Sequence, residues 1–576
     1  MLERMLKIWV IAVGGLLVLA VTDVSKHPLR ALTDLYFAED LPILACMAIT
    51  AALWRILPHM DRSAFTIHGL AGPPRRSLAI LVALAAVCAI IAYAGAYLIF
   101  DGYVLSRDEA QAVFDATIFA HGGPLAFVAP MWRPYAAALQ PMFMLPVPGG
   151  GYWGSAYLPV NASLIAVARA AGDGALMAPA MAATSVIAVF AIARRLWPQR
   201  PGTAWVAVIL LATSSQFLVT AMTAFAMSAH LAFNLVWLWL FLRGGKAGHA
   251  GAITVGFLAC GLHQMVFHPL FAAPFILQLW LERRWATAIV YTTAYAAMSL
   301  FWIAYPSLAL AYVGIAGGET RAAVVDHFAA EVAALFGTFD VANIGMMAKN
   351  LLRFVTWQNP LTTPLVLLGA MGALRAKGAL RSLALGLGLT TLAVFVLIPF
   401  QGYGWGYRYL HGLLGSTCLL AAWRWGQFGE TLTTSAKATA RSAFVAVATA
   451  SLLALLPIHA WQAHQIVRPY AMADAAIRRS KAQLVFVDGA GTWFDWDLVR
   501  NDPYLTNRPL TLYLGAAIPG GLNQTQVKAL CTHYSVTIFD RTDAAHFGIR
   551  TYAAAPGEIN RASLLRLGCV GPSTLR

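Results

Sequence analysis

Two stretches of the 576-residue chain hold residue types that could do chemistry at a membrane surface. The first is LSRDEAQAVFDATIFAHGGP, residues 105–124, where Asp108 and Glu109 stand side by side and Asp115 follows. Read as a helix over 108–121, it puts Ala110, Val113, Phe114, Thr117 and Ile118 on one face and Asp108, Gln111 and Asp115 on the other. Asp108 follows the polar linker DGYVLSR, so it reads either as the helix N-cap or as a reacting carboxylate. Glu109 points about 100° away, and Asp115, two turns on, reads as a solvated acid. The second stretch is PFQGYGWGYRYLHG, residues 399–412. Its glycines permit tight turns and close approach of the backbone to a ligand. Arg408, between Tyr407 and Tyr409, is placed either to snorkel to the membrane boundary or to grip a phosphate with its planar fork.

Other polar and aromatic residues extend this set. MWRPYAAALQP (131–141) carries Arg133, and PVPGGGYWGSAYLPV (146–160) carries Tyr152, Trp153 and Tyr157, which read as an interfacial aromatic belt or as cavity lining. In CGLHQMVFHPL, His263 and His268 are five residues apart, about 140° around a helix and poor co-ligands. They either line a cavity or pack with hydrogen bonds. GTWFDWDLVRNDPY (491–504) reads as aromatic packing or sugar binding. No Asp/His cluster has metal-ligand spacing. A divalent ion shared by Asp108 and an acid of a later loop is the one metal arrangement on offer.

The scaffold for these residues follows from composition. Hydrophobic residues make up 59% of the chain and charged ones 11%, against about a quarter charged in soluble domains. Mean hydropathy is +0.66. A spanning helix needs about 20 apolar residues. Candidate spans lie near 7–23, 40–57, 78–99, 175–194, 204–222, 225–243, 250–264, 266–281, 285–304, 361–375, 382–399, 409–425 and 442–460, about 13 in all. The net charge of +15 is spread between these runs, which argues against a nucleic-acid partner and for contact with anionic membrane lipids. Connections bearing Arg4/Lys7, Arg75/Arg76, Arg194/Arg195, Arg243/Lys246, Arg283/Arg284, Arg375/Lys377/Arg381 and Arg424/Lys437/Arg441 alternate with acid-bearing ones. The positive-inside rule then puts the N-terminus in the cytoplasm and the C-terminus outside. The first run could serve as a signal peptide, but no small-residue cleavage site follows it.

Three outside segments result. Residues 100–174 hold the DE stretch. Residues 305–360 hold Glu319, Arg321, Asp326, His327, Glu331, Asp340, Lys349 and Arg353. Residues 461–576 contain strand-like LVFVD (484–488), TLYLG (511–515) and SVTIFD (535–540), with a helix-like NQTQVKALCTHY (523–534), and read as a small extracytoplasmic α/β domain. Cys46, Cys88, Cys260 and Cys418 fall in apolar spans as small hydrophobes. Cys531 and Cys569 are the two in the outside domain and form a disulfide if that side is oxidising.

A DE pair after an apolar run, the HGGP that closes that stretch, a Gly/Trp/Tyr/Leu-Pro segment, many spans and a late G-x-G-x-x-Y-R-Y-L hairpin together resemble the GT-C glycosyltransferases. Among these the chain is similar to the protein O-mannosyltransferases and the aminoarabinose transferases of lipid A. The resemblance covers residues 78–460, leaving 1–77 as an extra N-terminal helix pair with a basic cytoplasmic loop and 461–576 as an appended domain. It implies inverting transfer of a sugar from a polyprenyl-phosphate donor to a lipid, glycan or protein acceptor at the outer face of a bacterial inner (plasma) membrane. It assigns Asp108 as catalytic base with Glu109 assisting, and Arg408 to the donor phosphate, followed by Arg133, Lys349, Arg353 and His268. Tyr152, Trp153, Tyr157, Tyr407, Tyr409 and His263 would line the substrate cavity. The Lys-Pro-Pro-Leu type element of many aminoarabinose-transferase-like members is missing; WRP (132–134) and YLP (157–159) stand in its place, so the sugar and acceptor stay open. The rival readings are a transporter or flippase of a lipid-linked or anionic substrate, and an O-antigen polymerase or ligase. Transporters place ionisable groups at mid-membrane in repeated halves, whereas these acids gather in outside loops.

Overall fold

The computed structural model describes residues 2–24, 30–56, 74–315, 340–514, 522–553, 557 and 559–570. The charged residues expected in the second outside segment from Glu319 to Glu331 lie outside them. The chain folds as two compact units, Met1–Gly95, Leu176–Trp302 and His327–Gln462 forming the first, and Ala96–Ala175, Ile303–Asp326 and Ala463–Arg576 the second.

The first unit is a helical bundle. Six helical segments among the described residues are long and apolar enough to cross a membrane: Glu3–Val21, Arg75–Leu98, Gly174–Leu196, Trp285–Tyr312, Ala379–Leu397 and Thr434–Arg478. Shorter apolar helices include Pro201–Ala212, Met227–Arg243, Phe267–Leu281 and Thr362–Ala373. Side chains such as Val82, Val87 and Ile90 stay exposed on these helices. Apolar faces of that extent need a nonpolar solvent, and the chain is an integral membrane protein. The run at 204–222 divides at Thr213 and Ser214, because the Ser214 hydroxyl accepts from Phe217 N and starts a new helix, Ser215–Thr220. The run at 442–460 belongs to a longer segment, Thr434–Arg478, with a π turn at Ser451–Leu455. Leu2–Val21 and Arg30–Ile56 both pack on Ile344–Thr356. Helices close up through glycine: a Cβ on Gly369 would lie 2.4 Å from the Leu420 carbonyl oxygen.

The second unit has one hydrophobic core built from distant parts of the sequence. Leu484–Val487 is the middle strand of a parallel sheet, flanked by Leu510–Tyr513 and Val536–Phe539. Parallel strands covered on both faces read as continuous apolar runs, as LVFV and LTLY do, every residue being buried. Phe486, Leu512 and Ile538 of this sheet share a core with Phe114, Ile118, Trp132 and Trp153 of the first outside segment. Cys531 and Cys569 are joined by a disulfide beside it.

Candidate active site

In the second unit the three acids of the opening stretch lie on the helix Arg107–Ala120. Ser106, not Asp108, is its N-cap, which corrects the capping expectation. Glu109 N donates to Ser106 Oγ at 3.3 Å, and the Glu109 carboxylate accepts from Ser106 N at 3.2 Å and Ser106 Oγ at 3.1 Å. This S-x-x-E capping box leaves Glu109 only 2% exposed. Asp115 is buried rather than solvated, because Ser155 supplies two donors, its N at 3.0 Å and its Oγ at 2.5 Å. Burial pushes the Asp115 carboxyl up to about 6, while the Ser155 bonds pull it down. Asp108 keeps partial exposure and accepts a hydrogen bond from Tyr157 Oη at 2.6 Å.

The other loop residues have different partners. Tyr152 and Trp153 form a strand paired antiparallel with Ala126–Phe127. Trp153 is core, edge-on to Phe114, and donates from Nε1 to Pro503 O at 2.9 Å. Arg133 donates from Nε to Val128 O at 3.2 Å and lies 5.6 Å over the Phe127 ring.

In the first unit, the hairpin between Ala379–Leu397 and Leu414–Thr431 is knitted by amides that no local motif announces. Gln216 Nε2 donates to Tyr407 O at 2.8 Å, while its Oε1 accepts from Tyr407 N at 3.2 Å and from Gln358 Nε2 at 3.0 Å. Gly406 has φ +76°, and a Cβ there would lie 2.4 Å from Gln216 Oε1, so both the turn and the contact require glycine. Arg408 N donates to Gln401 Oε1 at 2.9 Å. Its guanidinium lies 5.3 Å from the Phe225 ring centre and 5.2 Å from that of Tyr409. Tyr407 is fully buried, and Tyr409 donates to Phe400 O at 3.3 Å.

Arg408 and Tyr409 line a small cavity of about 20 Å³ with His230, Asn234, Phe267 and Thr390. His268 is set behind it. Its Nδ1 lies 2.7 Å from Asn234 Oδ1 and its Nε2 2.7 Å from Tyr295 Oη. Asn234 Nδ2 donates to Gly412 O at 2.9 Å. Because the amide oxygen can only accept, His268 donates from Nδ1 and accepts at Nε2. His268 therefore orients a cavity amide. His263 is half-buried in the turn between Gly245–Cys260 and Phe267–Leu281.

Lys349 and Arg353 sit on Ile344–Thr356 and are engaged by acids of the second N-terminal helix and of the connection after the first. Lys349 Nζ lies 2.8 Å from Asp23 Oδ2 and 2.5 Å from Asp34 Oδ1. Arg353 Nη1 lies 3.5 Å from both Glu39 Oε2 and Asp40 Oδ1, with the Tyr36 ring 3.7 Å from its guanidinium carbon. Arg353 Nε and Nη2 donate to Gly404 O at 3.4 Å, and Gly404 N donates to Tyr36 Oη at 3.0 Å. Both cations are thus tied to the N-terminal pair and one of them to the hairpin. Gln216, Asn234 and His230 were missed by sequence reasoning; their signal was a polar side chain inside an apolar run. Among the described residues no group of three His, Cys, Asp or Glu is placed to hold a metal ion.

No family model and no curated protein sequence matches the chain. The solved structures to which it is similar include membrane transferases of the GT-C superfamily. One is ArnT from Cupriavidus metallidurans in the apo state, 15% identical, covering 79% of this chain and 91% of that one with a TM-score of 0.49. The same protein bound to undecaprenyl phosphate gives 14% identity, 77% and 87% coverage and a TM-score of 0.45. The archaeal oligosaccharyltransferase AglB from Archaeoglobus fulgidus, in complex with an inhibitory peptide and a dolichol-phosphate, gives 13%, 75% and 65%, and 0.44.

Proposed function

We propose that this chain is an inverting glycosyltransferase that moves a sugar from a polyprenyl-phosphate donor to a lipid, glycan or protein acceptor at the extracytoplasmic face of a bacterial inner membrane. In this reading its N-terminus is cytoplasmic and its C-terminal α/β region lies outside. One observation carries the reading. Of the three acids on Arg107–Ala120, Glu109 bonds the cap and Asp115 bonds Ser155, both being buried, while Asp108 is partly exposed and accepts from a phenol.

The chemistry assigned to Asp108 is general base catalysis. The acceptor hydroxyl gives its proton to the carboxylate as its oxygen attacks the anomeric carbon. The bond from that carbon to the phosphate oxygen breaks with its electron pair on the phosphate, releasing polyprenyl phosphate. Attack opposite the leaving group inverts the anomeric centre. Negative charge grows on the phosphate, and a fixed guanidinium beside it lowers the barrier. Arg408, exposed to a cavity and stacked on two rings, is assigned that role.

The test is purified Asp108→Asn supplied with a polyprenyl-phosphate sugar. Transfer is expected to fall at least about 100-fold, with the protein folded and membrane-inserted. Unchanged turnover removes Asp108 as base. Arg408→Ala is expected to weaken donor binding more than acceptor binding; equal loss of both counts against the phosphate role. Mass spectrometry of the product separates transfer from transport, which alters no covalent bond.

A further inference from the structure

We propose that the C-terminal segment Trp496–Arg500 is a positioning element for Asp108, an inference that rests on the reading of Asp108 as base. The residues just before Asp108 are clamped from this segment at several points, all within the second unit. Arg107 donates from Nη2 to Val499 O at 2.9 Å and also to Trp496 O. In the opposite direction Arg500 Nη2 donates to Leu105 O at 2.8 Å, and its Nε to Asp497 O at 2.7 Å. Tyr103 Oη donates to Asp497 O at 3.2 Å, and the Arg500 guanidinium lies 4.6 Å from the Tyr103 ring centre. Arg500 N donates to Thr511 Oγ1 at 2.8 Å, which ties the segment to the sheet strand Leu510–Tyr513.

Two features distinguish this clamp from ordinary loop packing. Burying a guanidinium is costly unless it is well bonded, and a neutral side chain could tie down a turn at lower cost. Yet Arg107 is 4% exposed and spends its charge on backbone carbonyls, one residue from the carboxylate. The second feature is Asp497, 1% exposed, whose Oδ1 has no hydrogen-bond partner among the described residues. It stands in the field of Arg107, Arg500, Asp108 and Glu109. A buried carboxylate placed so costs stability, and the two guanidiniums offset it only while the linker and the segment stay in register. The arrangement fixes the first turn of the helix, and Asp108 within it, to about a hydrogen-bond length, which general base catalysis requires.

Two readouts test this. Hydrogen exchange of residues 103–112 is followed in the full-length protein, wild type against Arg500→Met and against Tyr103→Phe, the latter removing one hydroxyl and leaving the fold intact. Turnover of a polyprenyl-phosphate sugar is measured on the same samples. Arg500→Met is expected to speed exchange in 103–112 and lower kcat at least 30-fold with donor KM within twofold. Tyr103→Phe is expected to lower kcat three- to tenfold, and Arg500→Lys to recover most of the Arg500→Met loss. Unchanged exchange in both variants, or faster exchange with kcat intact, overturns the inference. If the wild type transfers no sugar, the enzyme reading fails, whereas unchanged exchange strikes only the clamp.

Discussion

A carboxylate at the third position of a helix can reach back to the N-cap, and one at the second cannot. Glu109 therefore closes a box with Ser106 while Asp108 meets Tyr157. The S-x-x-E spacing of this box is present in the sequence at Ser106–Glu109, beside a DE pair whose second acid it uses. Ser106→Ala should cost about 1 kcal/mol of stability, read as a lower thermal midpoint with Asp108 chemistry retained. Asp115 reads as solvated from local sequence because its partner Ser155 lies 40 residues away and no local pattern marks it. Its carboxyl sits near 6 in the folded protein, above its ordinary value near 4. The folded state thus holds the extra proton between those limits, and stability should fall as pH rises from about 4 to 6. Asp115→Asn is expected to flatten that part of the pH–stability curve. An unchanged slope would show that another group is responsible.

At the scale of elements, apolar length marks where helices form, since it is a local property; six segments among the described residues are long and apolar enough to cross a membrane, against about 13 runs in the sequence. Less legible was what the N-terminal helices do. Lys349 and Arg353 read as cations of an outside loop because Asp23, Asp34, Glu39 and Asp40 are some 300 residues away. Arg353→Ala would leave the buried Asp40 without its cation, a loss of about 3–5 kcal/mol. The expected outcome is a poor yield of folded protein in detergent, in contrast to a folded Arg408→Ala. Tyr36→Phe removes the acceptor of Gly404 N and should cost about 1–3 kcal/mol for the unsatisfied donor. Donor affinity should fall with it if the hairpin is the phosphate site; an unaltered donor KM would separate the hairpin from donor binding.

For the whole molecule, the three C-terminal strands and the helix Gln524–His533 lie within two residues of where alternation and turn residues put them. Their partners were not legible, because a core shared by residues 114 and 486 leaves no mark in either local sequence. Removing the chain after residue 483 should therefore expose the 105–160 stretch to protease and abolish transfer. Reducing Cys531–Cys569, which closes a loop of 38 residues, should lower the thermal midpoint, the chain-entropy gain being about 4 kcal/mol. The shared core also sets an order of events during synthesis. Phe114 leaves the ribosome roughly 370 residues before Leu484, about 20–70 s at ordinary elongation rates. Over that interval the nascent carboxylate-bearing helix has no sheet to pack on. The second unit stays unassembled until its final strands are made, and a prematurely terminated chain would lack its core.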